Sequence, residues 1–113
     1  MGRLRIVSRP RTTLGSRSVG WWSRQPVAHV DPRNVLWART PVNRAAVEHY
    51  KRHPNTPFNR RDHDGDPCVV RAVDGTLEGR NGKHRATAAV EAGRRRLRVR
   101  LYDEAKHTGG WFW

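Results

Sequence analysis

The eight residues from Glu78 to Arg85 combine a carboxylate, two glycines and a cluster of basic side chains. The glycine turn lies between a predicted strand and a predicted Ala-rich helix, so Lys83, His84 and Arg85 fall in the first helical turn. The first N–H groups of a helix lack intrahelical partners, and the helix dipole is positive there. Gly82 would allow a bulky anion to approach the backbone. The run therefore predicts a phosphate site, with a solvent-exposed basic turn as the alternative. The predicted phosphate contacts are Asn81, Gly82, Lys83, His84 and Arg85.

Acidic side chains near this run suggest a catalytic role. Glu78 precedes the glycine turn and is a candidate base or metal ligand, although pairing with an arginine is the more common use of such a residue. In the Asp62–Asp66 loop, Asp62, Asp64 and Asp66 are candidate ligands for Mg²⁺ or Mn²⁺ in phosphodiester cleavage. A solvated acidic loop is the alternative. The predicted catalytic residues are Glu78, His84 and Arg85.

The charge of the chain favours a polyanionic partner. Its 113 residues contain 23 lysines and arginines against 10 acids, for a net charge of +13, and 20 of the 23 basic residues are arginine. Because arginine pairs with phosphate through two parallel hydrogen bonds, we expect DNA or another nucleic acid as the partner. Arginine codons of a GC-rich genome are the alternative explanation. The predicted nucleic-acid contacts are Arg94, Arg95, Arg96, Arg98 and Arg100; a solvated sheet face is the alternative for this run.

The two ends of the chain differ from its middle. Residues 1–25 hold six arginines and no acid, which predicts a basic and largely disordered arm. An organelle transit peptide would share this composition. Residues 106–113 form an aromatic tail whose Trp111-Phe112-Trp113 could stack on bases, dock on the chain's own core or bind a host or partner protein. A folded domain is predicted over 26–105.

Cysteine content and hydropathy indicate the cellular compartment of the protein. The single cysteine, Cys68, excludes a disulfide scaffold within the chain and fits a reducing compartment. We expect Cys68 to be a small buried apolar residue. No apolar run approaches the roughly 20 residues of a membrane span. We therefore expect a cytoplasmic protein without a membrane segment.

The elements that must position these residues follow from periodicity and turn signals. Thr40-Pro41 marks a helix start, Asp74-Gly75 marks a hairpin turn, and Gly93 marks a helix end. The predicted order is a strand at 27–30, a helix at 41–52, a loop at 53–67, strands at 68–73 and 76–80, a helix at 82–92, and a strand at 97–102 whose apolar residues alternate with arginines.

The run from Val69 to Leu101 resembles the central block of the ParB/sulfiredoxin superfamily. In that block two strands deliver a G-x-H-R or G-x-R-R motif to a helix start, followed by an Ala-rich helix, a glycine and a last strand. With Val30-Asp31-Pro32 and the following helix, the likeness extends over roughly 27–103. The pieces that carry it are Asp74-Gly75, Gly82-Lys83-His84-Arg85, Ala86 to Ala92, Gly93, and Arg96 to Tyr102.

This resemblance implies a small single-domain α/β fold with a mixed sheet and two main helices. It also implies that the G-x-H-R loop binds nucleotide phosphates, with Gly82 as the close-approach glycine and His84 and Arg85 as the phosphate contacts. A nucleoside triphosphate and Mg²⁺ or Mn²⁺ are the implied cofactors. Lys83 stands where sulfiredoxins place their reactive cysteine and partition proteins place a glutamate, which argues against both of those reactions.

The function expected on these grounds is that of a ParB-like nucleic-acid-binding protein of the stand-alone plasmid or phage type, with a phosphate pocket at Gly82–Arg85. Metal-dependent DNA cleavage is the enzymatic version of this hypothesis. The alternatives are a non-catalytic plasmid or phage protein that binds a host protein, and a small-molecule kinase or NTPase of the same fold.

Overall fold

The computed structural model describes residues 3–9, 12–58 and 65–108, and it shows a mixed sheet with helices on both faces. In chain order the elements are β1 (Arg5–Val7), α1 (Val19–Ser23), β2 (Val27–Val30), a 3-10 turn (Pro32–Asn34), β3 (Val35–Ala38), α2 (Arg44–Arg52), β4 (Cys68–Arg71), β5 (Leu77–Asn81), α3 (Lys83–Glu91), β6 (Leu97–Asp103) and α4 (Glu104–Thr108). The predicted α/β class, with a mixed sheet and α2 and α3 as the two main helices, is confirmed.

The six strands lie in the order β1-β3-β5-β4-β6-β2. Pairing is parallel between β1 and β3, β3 and β5, and β4 and β6; it is antiparallel between β4 and β5 and between β2 and β6. The β4–β5 hairpin turns at Asp74-Gly75, as predicted, and Gly75 has a φ of 90°. This order places β5, which leads into α3, near the middle of the sheet.

One face of the sheet packs against α3. Trp37, Val69 and Val99 form a buried cluster on this face with Ala86 of α3. The alternation of apolar residues in β6 has this cause, because Val99 and its apolar neighbours Leu97 and Leu101 pack in this cluster. Helix α2 packs on α3 in turn, through a cluster of buried apolar residues: Ala46, Val47, Tyr50 and Ala88.

The opposite face is covered by the N-terminal segment, which corrects the prediction of a largely disordered arm over 1–25. Trp22 of α1 packs on Cys68 and Val70 of β4. The Glu78 carboxylate accepts hydrogen bonds from the N–H and the hydroxyl of Thr12. β1 adds a sheet strand. The arm prediction was wrong for these residues because their partners lie far along the chain and leave no local periodicity.

Element boundaries differ from the predictions at two helix starts. Helix α2 begins at Arg44 and is capped by the Asn43 side chain, which accepts a hydrogen bond from the Ala45 N–H, so Thr40 is not its cap. Gly82, and not Asn81, occupies the N-cap position of α3. β3 was not predicted.

The predicted aromatic tail, Trp111-Phe112-Trp113, lies outside the described residues. None of the described helices has the length and apolar character needed to cross a bilayer.

Candidate phosphate site at the start of helix α3

A cavity of about 290 Å³ lies at the N-terminus of α3, where β3, β5 and α3 meet. All five predicted phosphate-contact residues line it. Trp37 also lines it, and no acceptor among the described residues meets the buried Trp37 Nε1–H. Its other wall residues include Tyr50, Asp66 and Pro67.

Gly82 shapes the start of α3 for two structural reasons. Its φ of 96° is a left-handed conformation that L side chains rarely adopt. A Cβ on Gly82 would also lie 2.5 Å from Pro67 Cβ and 2.8 Å from Pro67 Cα. The space freed by the missing side chain is therefore filled by Pro67, which corrects the interpretation that Gly82 makes room for an anion. The Asn81 side-chain oxygen accepts the N–H of Gly82 itself, at 2.8 Å. Gly82 has no side chain to cap the helix, so the N–H groups that follow it in the first turn receive no cap from the N-cap residue.

Lys83 connects α3 to the end of β3. Its ammonium group donates to the carbonyl oxygens of Ala38, at 2.8 Å, and Thr40. Burial lowers the pKa of Lys83 from its ordinary value. Because these carbonyls already occupy two donors of the ammonium group, Lys83 mainly positions the wall of the cavity.

His84 links the N-termini of the two main helices. Its Nε2 accepts the backbone N–H of Asn43, the N-cap residue of α2, at 2.9 Å. An Nε2 that accepts a hydrogen bond carries no proton, so the neutral ring carries its proton on Nδ1. His84 thereby presents one N–H donor at a place where two helix N-termini converge.

Arg85 lies on the ring of Tyr50, with its guanidinium carbon 4.9 Å from the ring centroid. Tyr50 is buried, and its hydroxyl accepts the Phe58 N–H. A guanidinium stacked on an aromatic face is held in place while its N–H edges stay available for planar pairing with an oxyanion. The sequence predicted the helix that carries Tyr50 but carried no signal for this stacking.

A second cavity, of about 220 Å³, adjoins the first. The two share Tyr50, Asp66, Pro67 and Arg85 as wall residues. The side chains that line the second cavity and not the first include His29, Arg94, Arg96 and Arg98.

The arginine run that was predicted to contact nucleic acid divides into three groups. Arg94 donates to the Tyr50 and Lys51 carbonyls at the end of α2, so it serves as a helix C-cap. Arg98 and Arg100 both donate to the Asp66 carboxylate, at 3.2 and 3.3 Å. Arg95 and Arg96 precede β6 and are exposed.

The predicted catalytic carboxylate does not reach the cavity. Val70 of β4 faces Glu78 across the hairpin and belongs to the cluster that contains Trp22, so Glu78 lies on the α1 side of the sheet. There its buried carboxylate accepts from the Thr12 hydroxyl at 2.7 Å. The prediction that Glu78 acts beside His84 and Arg85 is therefore wrong in its geometry.

Of the predicted metal ligands, Asp62 and Asp64 lie outside the described residues. Asp66 lines both cavities with its carboxylate paired to arginines. Within residues 3–9, 12–58 and 65–108, no three His, Cys, Asp or Glu side chains come together as a metal-binding group. The metal site stays a prediction.

Cys68 is fully buried beneath Trp22. Burial, and to a lesser degree the nearby Asp66 carboxylate, raises the pKa of its thiol to about 12. A thiol that resists ionisation is a poor nucleophile, which agrees with its interpretation as a small apolar residue.

Comparison with known proteins identifies the architecture. No protein-family model matches the chain, and no curated protein matches it. Sulfiredoxin from Arabidopsis thaliana is structurally similar, with a TM-score of 0.54 and 18% sequence identity over 76% of this chain and 94% of that one. The chain has a sulfiredoxin-like fold. The resemblance that the sequence shows to the ParB/sulfiredoxin superfamily is thus confirmed for the fold.

Proposed function

We propose that the cavity at the start of α3 binds a phosphoryl group of a nucleotide. The observation that carries the proposal is the convergence of three donors on one concave site: the uncapped N-terminus of α3, the His84 ring and the stacked Arg85 guanidinium. Such a set offers hydrogen bonds and positive charge without a competing carboxylate on α3's first turn.

Each donor has a distinct part in this proposal. The backbone N–H groups of the first turn hold one phosphoryl oxygen, as anions are held at helix N-termini. Arg85 pairs with two oxygens through parallel N–H bonds. His84 donates from Nδ1 while Asn43 fixes the ring through Nε2. Lys83 supports the site through Ala38 and Thr40.

The cavity is proposed as a binding site, and metal-dependent DNA cleavage stays a prediction. Metal-dependent DNA cleavage through Glu78 loses support, because the Glu78 carboxylate lies across the sheet from the cavity. Cleavage carried by Mg²⁺ or Mn²⁺ at Asp62 and Asp64 remains to be tested by incubating supercoiled plasmid DNA with each metal and with EDTA.

The experiment is a titration of the full chain with inorganic phosphate, pyrophosphate, ATP and CTP, followed by calorimetry and ³¹P NMR. The variant Arg85→Gln keeps most of the side-chain volume over Tyr50 but removes the charge. We expect it to weaken nucleotide binding about tenfold or more, because a hydrogen bond to a charged group contributes roughly 1.5–3 kcal/mol.

Arg24→Gln is the matched control. It makes the same substitution at the C-cap of α1, whose Trp22 packs on the opposite face of the sheet. We expect this variant to bind nucleotides as the parent does. Equal affinities of the parent and Arg85→Gln, or no binding of any of the four ligands at millimolar concentration, would contradict the proposed site.

A further inference from the structure

The second cavity continues the first along one surface, because Tyr50, Asp66, Pro67 and Arg85 belong to the walls of both. Arg85 therefore lies on the ridge between them. Arg85 can therefore contact a ligand in either recess. We call the two adjoining recesses together the groove.

The groove is strongly basic. Asp66 is the single carboxylate in the described walls of the two cavities, and it is already neutralised by Arg98 and Arg100. Basic residues line both recesses, so the positive charge does not end at the helix N-terminus. Arg80 also belongs to the first wall, but its guanidinium donates to the Thr12 hydroxyl on the α1 side of the sheet. The other cationic wall residues are Lys83, Arg85, Arg94, Arg96 and Arg98.

The chemistry of the second cavity favours an anion over a nucleobase. The Arg85 guanidinium already stacks on the Tyr50 ring, at 4.9 Å, so the face of that ring is covered on the side of Arg85. Single-stranded nucleic acids are held by basic grooves that follow the backbone and by open aromatic faces that stack the bases. The second cavity offers charge and no open aromatic face from Tyr50 on that side.

We propose that the second cavity binds a further phosphoryl group of the same ligand, and that the ligand is a single-stranded oligonucleotide. The inference rests on the proposed function for the first phosphoryl group and extends it to a substrate class. A flexible single strand can place successive phosphates in two adjoining recesses, whereas a duplex presents its phosphates on a stiff convex surface.

Arg96 is the residue that tests the second cavity alone. It is exposed, lines the second cavity and is absent from the wall of the first. Arg94 and Arg98 are less suitable, since their loss would expose the end of α2 or remove one of the two arginines that pair with Asp66. Arg96→Gln removes the charge, and Arg96→Lys restores it.

The experiment compares thymidine 5′-monophosphate with the 5′-phosphorylated dithymidylate pTpT, using fluorescence and calorimetry at several salt concentrations. We expect pTpT to bind the parent chain about tenfold more tightly than the mononucleotide. Arg96→Gln should abolish that gain, leave mononucleotide affinity unchanged and lower the salt slope for pTpT by about 0.7, the value for one neutralised phosphate of a single strand. Arg96→Lys should recover most of the gain, and Arg24→Gln should retain all of it.

The outcomes separate the two proposals. Equal binding of the mononucleotide and pTpT, with no effect of Arg96→Gln, overturns the second subsite and leaves the first intact. Equal weakening of both ligands by Arg96→Gln also overturns it, because the two recesses would then act as one site. A 12-base-pair duplex that binds more tightly per phosphate than pTpT, without dependence on Arg96, refutes the single-strand assignment. Failure of all these ligands to bind removes the proposed function itself.

Discussion

Replacing Gly82 with alanine tests why the G-K-H-R run begins with a glycine. At a φ of 96° an L side chain costs roughly 1–2 kcal/mol of backbone strain. The added Cβ would also lie 2.5 Å from Pro67 Cβ and 2.8 Å from its Cα, and overpacking of this kind costs about 1–3 kcal/mol more. We expect Gly82→Ala to lower the free energy of unfolding by about 2–5 kcal/mol.

Gly75→Ala is the control for backbone strain alone. Gly75 has a similar φ of 90°, and a Cβ there meets nothing within 4 Å. Its cost should be only the roughly 1–2 kcal/mol of strain. Urea unfolding, followed by tryptophan fluorescence and circular dichroism, measures both variants under the same conditions.

The double variant Gly82→Ala with Pro67→Gly, compared with Pro67→Gly alone, isolates the steric part, because glycine removes the Cβ and Cγ of residue 67 that lie within 2.8 Å of the added Cβ. It should recover some of the loss but not all, because the backbone Cα of residue 67 stays in place. Equal destabilisation by Gly82→Ala and Gly75→Ala would refute the reasoning, since Pro67 would then contribute nothing to the requirement for glycine.

Two further predictions concern buried and paired groups. Burial raises the pKa of the Cys68 thiol to about 12. A disulfide-exchange reagent at pH 8 should therefore label the native chain roughly a thousandfold more slowly than the urea-unfolded chain. Rapid labelling of the native protein would contradict the burial of Cys68. The Arg44 and Lys51 side chains lower the pKa of Glu91 to about 2, so its ion pairs stabilise the fold above its ordinary pKa of 4.5 and lose that effect as the pH falls toward 2. Glu91→Gln should therefore lower the free energy of unfolding by up to about 1 kcal/mol at pH 7. Between pH 4.5 and 2 the variant should lose less stability than the parent. Urea midpoints at pH 7 and pH 3 would reveal this difference.

The elements that could be predicted from the sequence are those whose signals are local. Strict alternation marked β6, Asp74-Gly75 marked the hairpin, and Gly93 marked the end of α3 with its φ of 73°. β1 and β3 were missed because they are short parallel strands whose register depends on a partner remote in the chain. Neither length nor periodicity distinguishes such strands from loop residues.

The cap of α2 shows how tertiary contacts override a local signal. The sequence predicts a helix start at Thr40-Pro41, whereas Asn43 is the N-cap in the structure. Lys83 donates to the carbonyl and hydroxyl of Thr40 and to the carbonyl of Ala38. Those bonds hold Thr40 in the wall of the cavity, so the helix begins after Asn43. A residue 43 positions away in the chain could not enter a local argument.

The candidate site was predicted in position and only partly in composition. The G-K-H-R run lines the cavity as expected. Alternation along β5 already implies that Glu78 and Gly79 point to opposite faces. What the short strand could not reveal is which face α3 covers, so the Glu78 carboxylate was assigned to the wrong side.

The strand order has a consequence for biosynthesis. β2 is an edge strand whose partner, β6, is among the last elements in the described chain, with Val27 opposite Arg100. While the nascent polypeptide leaves the ribosome, β2 cannot complete its hydrogen bonds until β6 has emerged, and distant pairings of this kind slow folding. The sheet therefore closes only after β6 has left the ribosome, and a chain stalled before residue 97 would expose an unpaired edge to chaperones or to other nascent chains.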